Sequence, residues 1–357
     1  MATDSQTRTE PTGAAGAVEV NVATDSPAWS GFLGAHDGAG IYHDPRWGQV
    51  MAEVYGNRPF YLTARRGGRV VGALQLIRQK SMLFGLHLCS TPYFDAAGIV
   101  ADDGPAREAL TSAAAGLAEQ LGADWAELRQ EQVLDESLPT RTDKVSLRLP
   151  LPGDSEQLWK ALKAKVRNQV RKAEKAGLTA AEGGAERIAD FHDIYSRNMR
   201  DLGSPPHARR FFDAIAREFG QHVRVFVVQR EGQTLAASLT LEDRHAMHVP
   251  WAGSDWRARN ICPNMLLYWR MLAHCCDAGA RCFDFGRSTC DEGTFRFKRQ
   301  WGAEPVPLYW HYLLPSGAEM PSLRPDSPKY RLLVACWRKL PLWAARAMGP
   351  RLIAKLP

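Results

Sequence analysis

Residues 222–254, HVRVFVVQREGQTLAASLTLEDRHAMHVPWAGS, read as three consecutive β-strands. Two runs rich in β-branched and aromatic residues flank Glu231-Gly232, where glycine supplies the positive φ that a tight hairpin needs. The run from Arg244 to Ser254 continues as a third strand. After it, PNMLLYWRMLAHCCDAG (263–279) has the character of a helix closed by Gly279, and RCFDFG (281–286) that of a buried strand ending on Gly286. Hairpin, strand, helix and strand in this order describe one mixed, mostly antiparallel sheet flanked by helices.

The same order occurs upstream. YHDPRWGQVMAEVY (42–55) has an Asp44-Pro45 start and apolar residues at Trp47, Val50, Met51 and Val54, a helical period. RPFYLTARRGGRVVGALQLIRQK (58–80) is a hairpin turned at Gly67-Gly68. An Ala/Leu-rich helix near 105–121 follows, then strands near Trp125–Arg129 and Val145–Leu149. In the second half, the helical segments 186–203 and 205–220 precede the hairpin. The repetition predicts an α/β (α+β) chain of two similar domains, 21–152 and 178–315, joined by a basic helix over 153–177. A disordered tail over 1–20 and a basic amphipathic segment over 316–357 complete the division.

A chain of 357 residues with 45% hydrophobic content buries a substantial core, and its net charge of +6 favours anionic partners. The first twenty residues are polar and Ala/Gly-rich and lack the apolar core of a secretory signal. No stretch approaches the roughly 18 apolar residues of a membrane span. A cytoplasmic location, with contact to the inner membrane at most peripheral, is therefore expected. The seven cysteines lack paired C-x-x-C spacing, and adjacent Cys275 and Cys276 point about 100° apart on a helix. They read as structural thiols, and no metal is expected.

Two stretches carry candidate chemistry. DSEQLWKALKAKVRNQVRKAEKAG (154–177) crowds basic residues, among them Lys165, Arg167 and Arg171, onto one helix. That face is either solvated or an anion site at the junction of the domains. FDFGRSTCDEGTFRFKRQWGAEPVPLYW (283–310) is denser. Its Asp284 ends a strand, and Arg287, Ser288, Arg296 and Lys298 bring cations and a hydroxyl to the carboxyl end of the sheet, where such sheets place ligands. Amide formation passes through an oxyanion that a fixed cation such as Lys298 stabilises. The attacking amine must lose a proton, which Asp284 accepts if burial raises its pKa; the alternative is a structural, capping Asp284. Cys290 has acidic neighbours that disfavour a thiolate, and His245 and His248 read as satisfied strand histidines.

The segments KVRNQVRKAEKAG (165–177) and FDFGRSTCDEGTFRFKRQWGAE (283–304) together resemble the FemAB-like family of the GNAT superfamily, in particular its branch associated with exosortase/PEP-CTERM sorting systems. The resemblance implies tandem GNAT-like domains and an acyltransferase that joins an acyl or aminoacyl unit to an amine of a cell-envelope precursor, peptidoglycan or exopolysaccharide related. It implies that Lys298, in the F-K motif, handles the reacting carbonyl and that Lys165, Arg167 and Arg171 face an anionic or lipid-linked substrate. The donor it implies is acyl-CoA or aminoacyl-tRNA, with no permanently bound cofactor. In a GNAT half, the loop after the third strand faces the pyrophosphate of coenzyme A. Here that loop, WRARNICPN (256–264), has no glycine to admit backbone to phosphate, so binding would fall to Arg257, Arg259 and Asn264. No long heptad segment like the tRNA-binding arm of several Fem transferases is present.

The tail PKYRLLVACWRKLPLWAARAMGPRLIAKLP (328–357) mixes basic residues with Leu, Trp337 and Trp343. It reads either as an interfacial helix on the inner membrane or as a helix packed on the protein and broken at Pro341. Two other functions compete with an aminoacyl or acyl transfer to envelope precursors: a conventional acyl-CoA-dependent N-acyltransferase, and a non-catalytic scaffold of an envelope assembly complex.

Overall fold

The computed structural model describes residues 16–81, 85–321 and 328–355. Its strands in chain order are β1 (Glu19–Ala23), β2 (Arg58–Arg66), β3 (Arg69–Ser81), β4 (Gly85–Cys89), β5 (Val100–Ala101), β6 (Trp125–Gln130), β7 (Thr140–Arg141), β8 (Lys144–Pro150), β9 (Thr179–Gly183), β10 (Val223–Arg230), β11 (Gln233–Glu242), β12 (Ala246–Ser254), β13 (Cys282–Thr289), β14 (Glu304–Pro307) and β15 (Tyr309–Leu313). The helices are α1 (Ser30–Ala35), α2 (Arg46–Tyr55), α3 (Gly104–Gln120), α4 (Ser155–Ala161), α5 (Ala164–Lys175), α6 (Ile188–Leu202), α7 (Arg209–Phe219), α8 (Pro263–Asp277), α9 (Gly293–Arg299), α10 (Pro328–Arg338) and α11 (Leu342–Ile353).

Local signals account for most of these elements. Gly67 and Gly68 take φ of 55° and 82° at the β2–β3 turn, while Glu231 and Gly232 take 52° and 77° at the β10–β11 turn. Two successive positive φ values match the right-handed twist of hairpin strands. Asp103 caps α3 by accepting from Ala106 N, and Asp154 caps α4 by accepting from Gln157 N.

Two mixed sheets result, ordered β1-β2-β3-β4-β6-β15-β7 and β14-β8-β13-β12-β11-β10-β9. Each has one parallel pair, β4 with β6 crossed over by α3, and β12 with β13 crossed over by α8. The rest are antiparallel, so the two-fold repeat of a mostly antiparallel sheet flanked by helices is realised. The halves nevertheless exchange strands. β8, read with the first half, pairs with β13 and β14 in the second sheet, and β15, from the second half, pairs with β6 in the first. Sheet membership is thus not divided at residues 153–177: each parallel pair leaves an open edge that the other half's strand covers.

The tail expected over 1–20 lies outside the described residues up to 15, and Glu19 and Val20 already belong to β1, paired with Arg65 and Ala64 of β2. The single helix expected over 153–177 is two, α4 and α5, broken at Leu162 and Lys163, both extended at ψ near 140°. Strand β13 runs past Gly286 to Thr289. Instead of ending the strand, Gly286 makes a bulge: Asp284 pairs with Arg148 but Arg287 with Ser146, one extra residue on β13. The core of the second sheet gathers Val166, Val170 and Ala173 of α5 with Leu266, Met271 and Cys275 of α8 around Phe283 and Phe285.

Candidate functional site

The site forms where β12 and β13 cease to pair. Their parallel register covers only Ala246–His248 against Cys282–Asp284. Both strands carry a bulge just beyond. On β12, Leu239 faces Trp251 and Leu241 faces His248, leaving one extra residue at Val249-Pro250, where proline has no N–H to give the ladder. On β13, Gly286 has φ of 72°, and a Cβ there would lie 3.3 Å from the carbonyl oxygen of Val249. Glycine is therefore required both by conformation and by close approach.

Asp284 lies in this bulge, 5% exposed. It accepts hydrogen bonds from Ser146 Oγ at 2.6 Å, Gly286 N at 2.7 Å and Arg148 Nε at 3.0 Å. Arg148 also grips Glu131 through both terminal nitrogens. His248 bridges two carboxylates, with Nε2 2.9 Å from Asp243 Oδ2 and Nδ1 3.8 Å from Asp284 Oδ2, an ion-pair contact too long to be a hydrogen bond. Burial alone would lift the Asp284 pKa. The facing charges of His248 and Arg148 outweigh it and hold the carboxyl well below the usual carboxylate range. The expected proton acceptor with a raised pKa is therefore corrected: three donors and two cations keep Asp284 ionised, as a structural anion. For His248, burial lowers the pKa, but Asp243 and Asp284 overcome it and raise it to about 9.

Lys298 projects from α9 into the same bulge, 8% exposed, and donates to the carbonyls of Gly286 at 2.9 Å and Arg287 at 2.8 Å. Burial lowers its pKa to about 8, against the pull of Asp95 and Asp284. The ammonium has three donors, and two are taken by these carbonyls.

A cleft of about 860 Å³ adjoins this cluster and is lined from both halves, by Asp95, Arg129 and Glu131 on one side and by Arg148, His248 and Asp284 on the other. Asp95 ties the halves together: its Oδ2 accepts from Arg287 N at 3.1 Å and its carbonyl from Trp310 Nε1 at 3.0 Å. The Trp310 ring receives the guanidinium groups of Arg129 at 4.2 Å and Arg287 at 5.2 Å. Just before Asp95, Thr91 and Tyr93 hold φ of 41° and 77°. Such values are costly for a β-branched or bulky residue, and strain of this kind gathers at working sites.

The structure thus brings together Asp284, Arg287, Ser288 and Lys298. Ser288 is buried, and its Oγ has no hydrogen-bond partner among the described residues. Arg296 stands exposed on α9. The basic helix is elsewhere: no residue of α5 is among the described residues lining the cleft. Its apolar stripe docks against α8, which turns Lys165 and Arg171 to solvent. Arg167 donates to the Lys160 carbonyl at 2.9 Å at the end of α4, and Arg171 stacks on Trp159 at 5.5 Å. The loop after β12 is a 3₁₀ turn over Trp256–Ile261 in which Asp255 neutralises Arg257, with Arg257 Nε 2.9 Å from Oδ1. Arg259 lies on Trp256, and Asn264 is half-buried in the first turn of α8.

Sequence reading missed Asp95, Glu131 and Arg148, and passed over His248. A signal existed for Arg148. In VSLRLP (145–150), Ser146 and Arg148 alternate with Val145, Leu147 and Leu149 and so share the face opposite the core. Nothing local says that this face meets Asp284.

Residues 160–299 match the sequence model of the acetyltransferase (GNAT) domain. That span includes β9–β13, α8 and all of α9 but omits β8 with its Arg148. No curated protein sequence matches the chain. Among solved structures, FemX is similar with a TM-score of 0.65 at 14% identity, covering 88% of this chain and 100% of that one. A conserved protein of unknown function from Bacteroides thetaiotaomicron is similar with a TM-score of 0.54 at 8% identity, covering 83% of this chain and 100% of that one. Residues 160–299 are therefore similar in sequence to the GNAT acetyltransferase domain, and the two-sheet α/β fold around them is one shared with FemX.

Proposed function

We propose that this chain is an N-acyltransferase that joins an acyl or aminoacyl unit to an amine on an anionic cell-envelope precursor. The observation that carries this reading is the buried ammonium of Lys298, which does not itself line the cleft but is bonded to the carbonyl of Gly286, which does. An amine attacking the donor carbonyl forms a tetrahedral adduct whose oxyanion needs a preorganised cation or donor. The third N–H of Lys298 has no acceptor among the described residues and is assigned to that oxygen, and a cation removed from water acts there with less screening than at a surface. As the adduct collapses, the carbonyl re-forms, the donor's thiolate or ribose oxygen leaves and takes up a proton, and the new amide nitrogen sheds one. Asp95 lines the cleft beside Lys298 and Arg287 and is assigned to orient the amine by accepting its N–H, while the proton shed by the amine passes to the leaving thiolate or ribose oxygen. Asp284 positions the bulge instead. At the cleft wall Arg107 and Arg244 have no ion-pair partner among the described residues, which suits an anionic acceptor.

The test is transfer by purified protein from acyl-CoA and aminoacyl-tRNA donors to amine-bearing, phosphate-containing envelope precursors. Lys298→Ala is expected to abolish turnover at a temperature where circular dichroism shows the variant still folded, its thermal transition being lowered by the loss of two buried hydrogen bonds. Equal transfer by variant and wild type refutes the assignment. A second reading, acetyl-CoA or a longer acyl-CoA as donor with a conventional small amine acceptor, is favoured by the match of residues 160–299 to the acetyltransferase domain. Calorimetric titration with acyl-CoA against aminoacyl-tRNA separates the two.

A further inference from the structure

Helices α10 and α11 follow the last strand and pack on α6 through one face each. On α10 the inner face is Val334, which closes over Gly203, with Trp337 donating to the Ser204 carbonyl at 3.0 Å and Arg338 to that of Leu202 at 3.2 Å. On α11 it is Ala345, Gly349 and Ile353, all buried at a four-residue spacing. Arg346 adds a bond to Ser196 Oγ at 2.8 Å, and Tyr93 Oη donates to the Ile353 carbonyl at 3.1 Å.

The opposite faces have no partner among the described residues. Leu332 and Leu333 are 65% and 69% exposed on α10, and Trp343 is 74% exposed on α11. Helical spacing places Leu332 opposite Val334, sets Leu333 at the flank one turn before Trp337, and turns Trp343 away from Ala345. The charged residues of the segment itself are all of one sign, although Arg346 pairs with Asp193 of α6. Between 328 and 355 the sequence holds seven Lys and Arg residues and no Asp or Glu. Lys339 and Arg351 are exposed and make no ion pair among the described residues.

We infer that this face docks on an anionic lipid bilayer, the leucines and Trp343 entering the headgroup boundary and the basic residues meeting phosphate. Exposed leucines with an amphipathic aromatic ring and cations are the composition of an interfacial helix, and tryptophan prefers that boundary. A second copy of the chain fits less well, because a two-fold contact opposes each patch to itself and sets cation against cation. No helix among the described residues is long and apolar enough to cross a membrane, so the contact is a surface one.

Sedimentation of the full-length chain with sucrose-loaded vesicles tests this, comparing phosphatidylcholine alone with phosphatidylcholine containing about one third phosphatidylglycerol. The chain is expected to pellet with the anionic vesicles, to stay in solution with the neutral ones, and to be released by salt. Leu332→Asp with Leu333→Asp is expected to lower the bound fraction about tenfold at an unchanged thermal transition. Should that variant unfold, Lys339→Glu with Arg351→Glu gives the same expected loss from solvent-facing positions. Failure of the wild type to pellet with anionic vesicles overturns the inference, as does wild-type binding by the folded variants. A dimer in light scattering that the leucine variant dissociates also overturns it, in favour of a second copy.

Discussion

Replacing His248 by glutamine probes the buried charges of the site without any substrate. The imidazole is 8% exposed and lies between Asp243 and Asp284. Burial works against its protonation, but the two carboxylates prevail and raise the pKa from 6.5 to about 9. Because the folded value exceeds the unfolded one, the imidazolium stabilises the fold fully below about pH 6.5, and this contribution fades as the pH climbs towards 9. At about 1.36 kcal/mol per unit, the loss between pH 6.5 and 8 is about 2 kcal/mol. Other groups leave that window clear. Burial pushes His43 and His87 down to about 4 and His207 to about 3, so their effect is a rise in stability that is complete by about pH 6.5. Lys298, lowered to about 8, has the opposite sign to His248 and adds stability only as the pH passes above 8. Urea unfolding free energy measured from pH 5 to 8 is therefore expected to peak near 6.5 and then descend by about 2 kcal/mol, and His248→Gln is expected to remove the descent. A level wild-type profile above pH 6.5, or a variant that keeps the slope, refutes the reasoning.

Gly286→Ala forces a side chain into a φ of 72° and against the Val249 carbonyl, so the urea midpoint is expected to fall by the equivalent of about 1–3 kcal/mol. Arg148→Met leaves the buried Asp284 and its partner Glu131 without their shared cation. A loss of about 2–4 kcal/mol is expected by the same measurement, with the Asp284 carboxyl titrating at higher pH in carbon-13 NMR spectra. If Lys298 acts as a cation, the maximal transfer rate falls as the pH rises through about 8, and any residual rate of Lys298→Met lacks that limb.

Much of the molecule was legible because its signals are local. Gly67-Gly68 and Glu231-Gly232 fix their hairpins through backbone conformations that few other residues adopt, and the period of Trp47, Val50, Met51 and Val54 fixes the buried face of α2. The stretch 283–304 was likewise recognisable as the place where Asp284, Arg287, Ser288 and Lys298 gather. The sign of the Asp284 pKa was not. Burial was foreseeable from the flanking phenylalanines, but the outcome depends on Arg148, 136 residues away along the chain, and on His248 across the parallel pair.

The sequence by itself determined the two-fold order of hairpin, helix and strand, and with it the kind of sheet each half builds, since turns and amphipathic periods act over a few residues. Only the tertiary structure decided which edge each lone strand would cover, sending β8 to the second sheet and β15 to the first. An alternating strand satisfies either edge equally well by its own pattern; the choice belongs to backbone pairing and burial between segments far apart in the chain. The same exchange carries Arg148 to Asp284 and Trp310 to Asp95, so the charged cleft exists only once both sheets have closed on each other's strands.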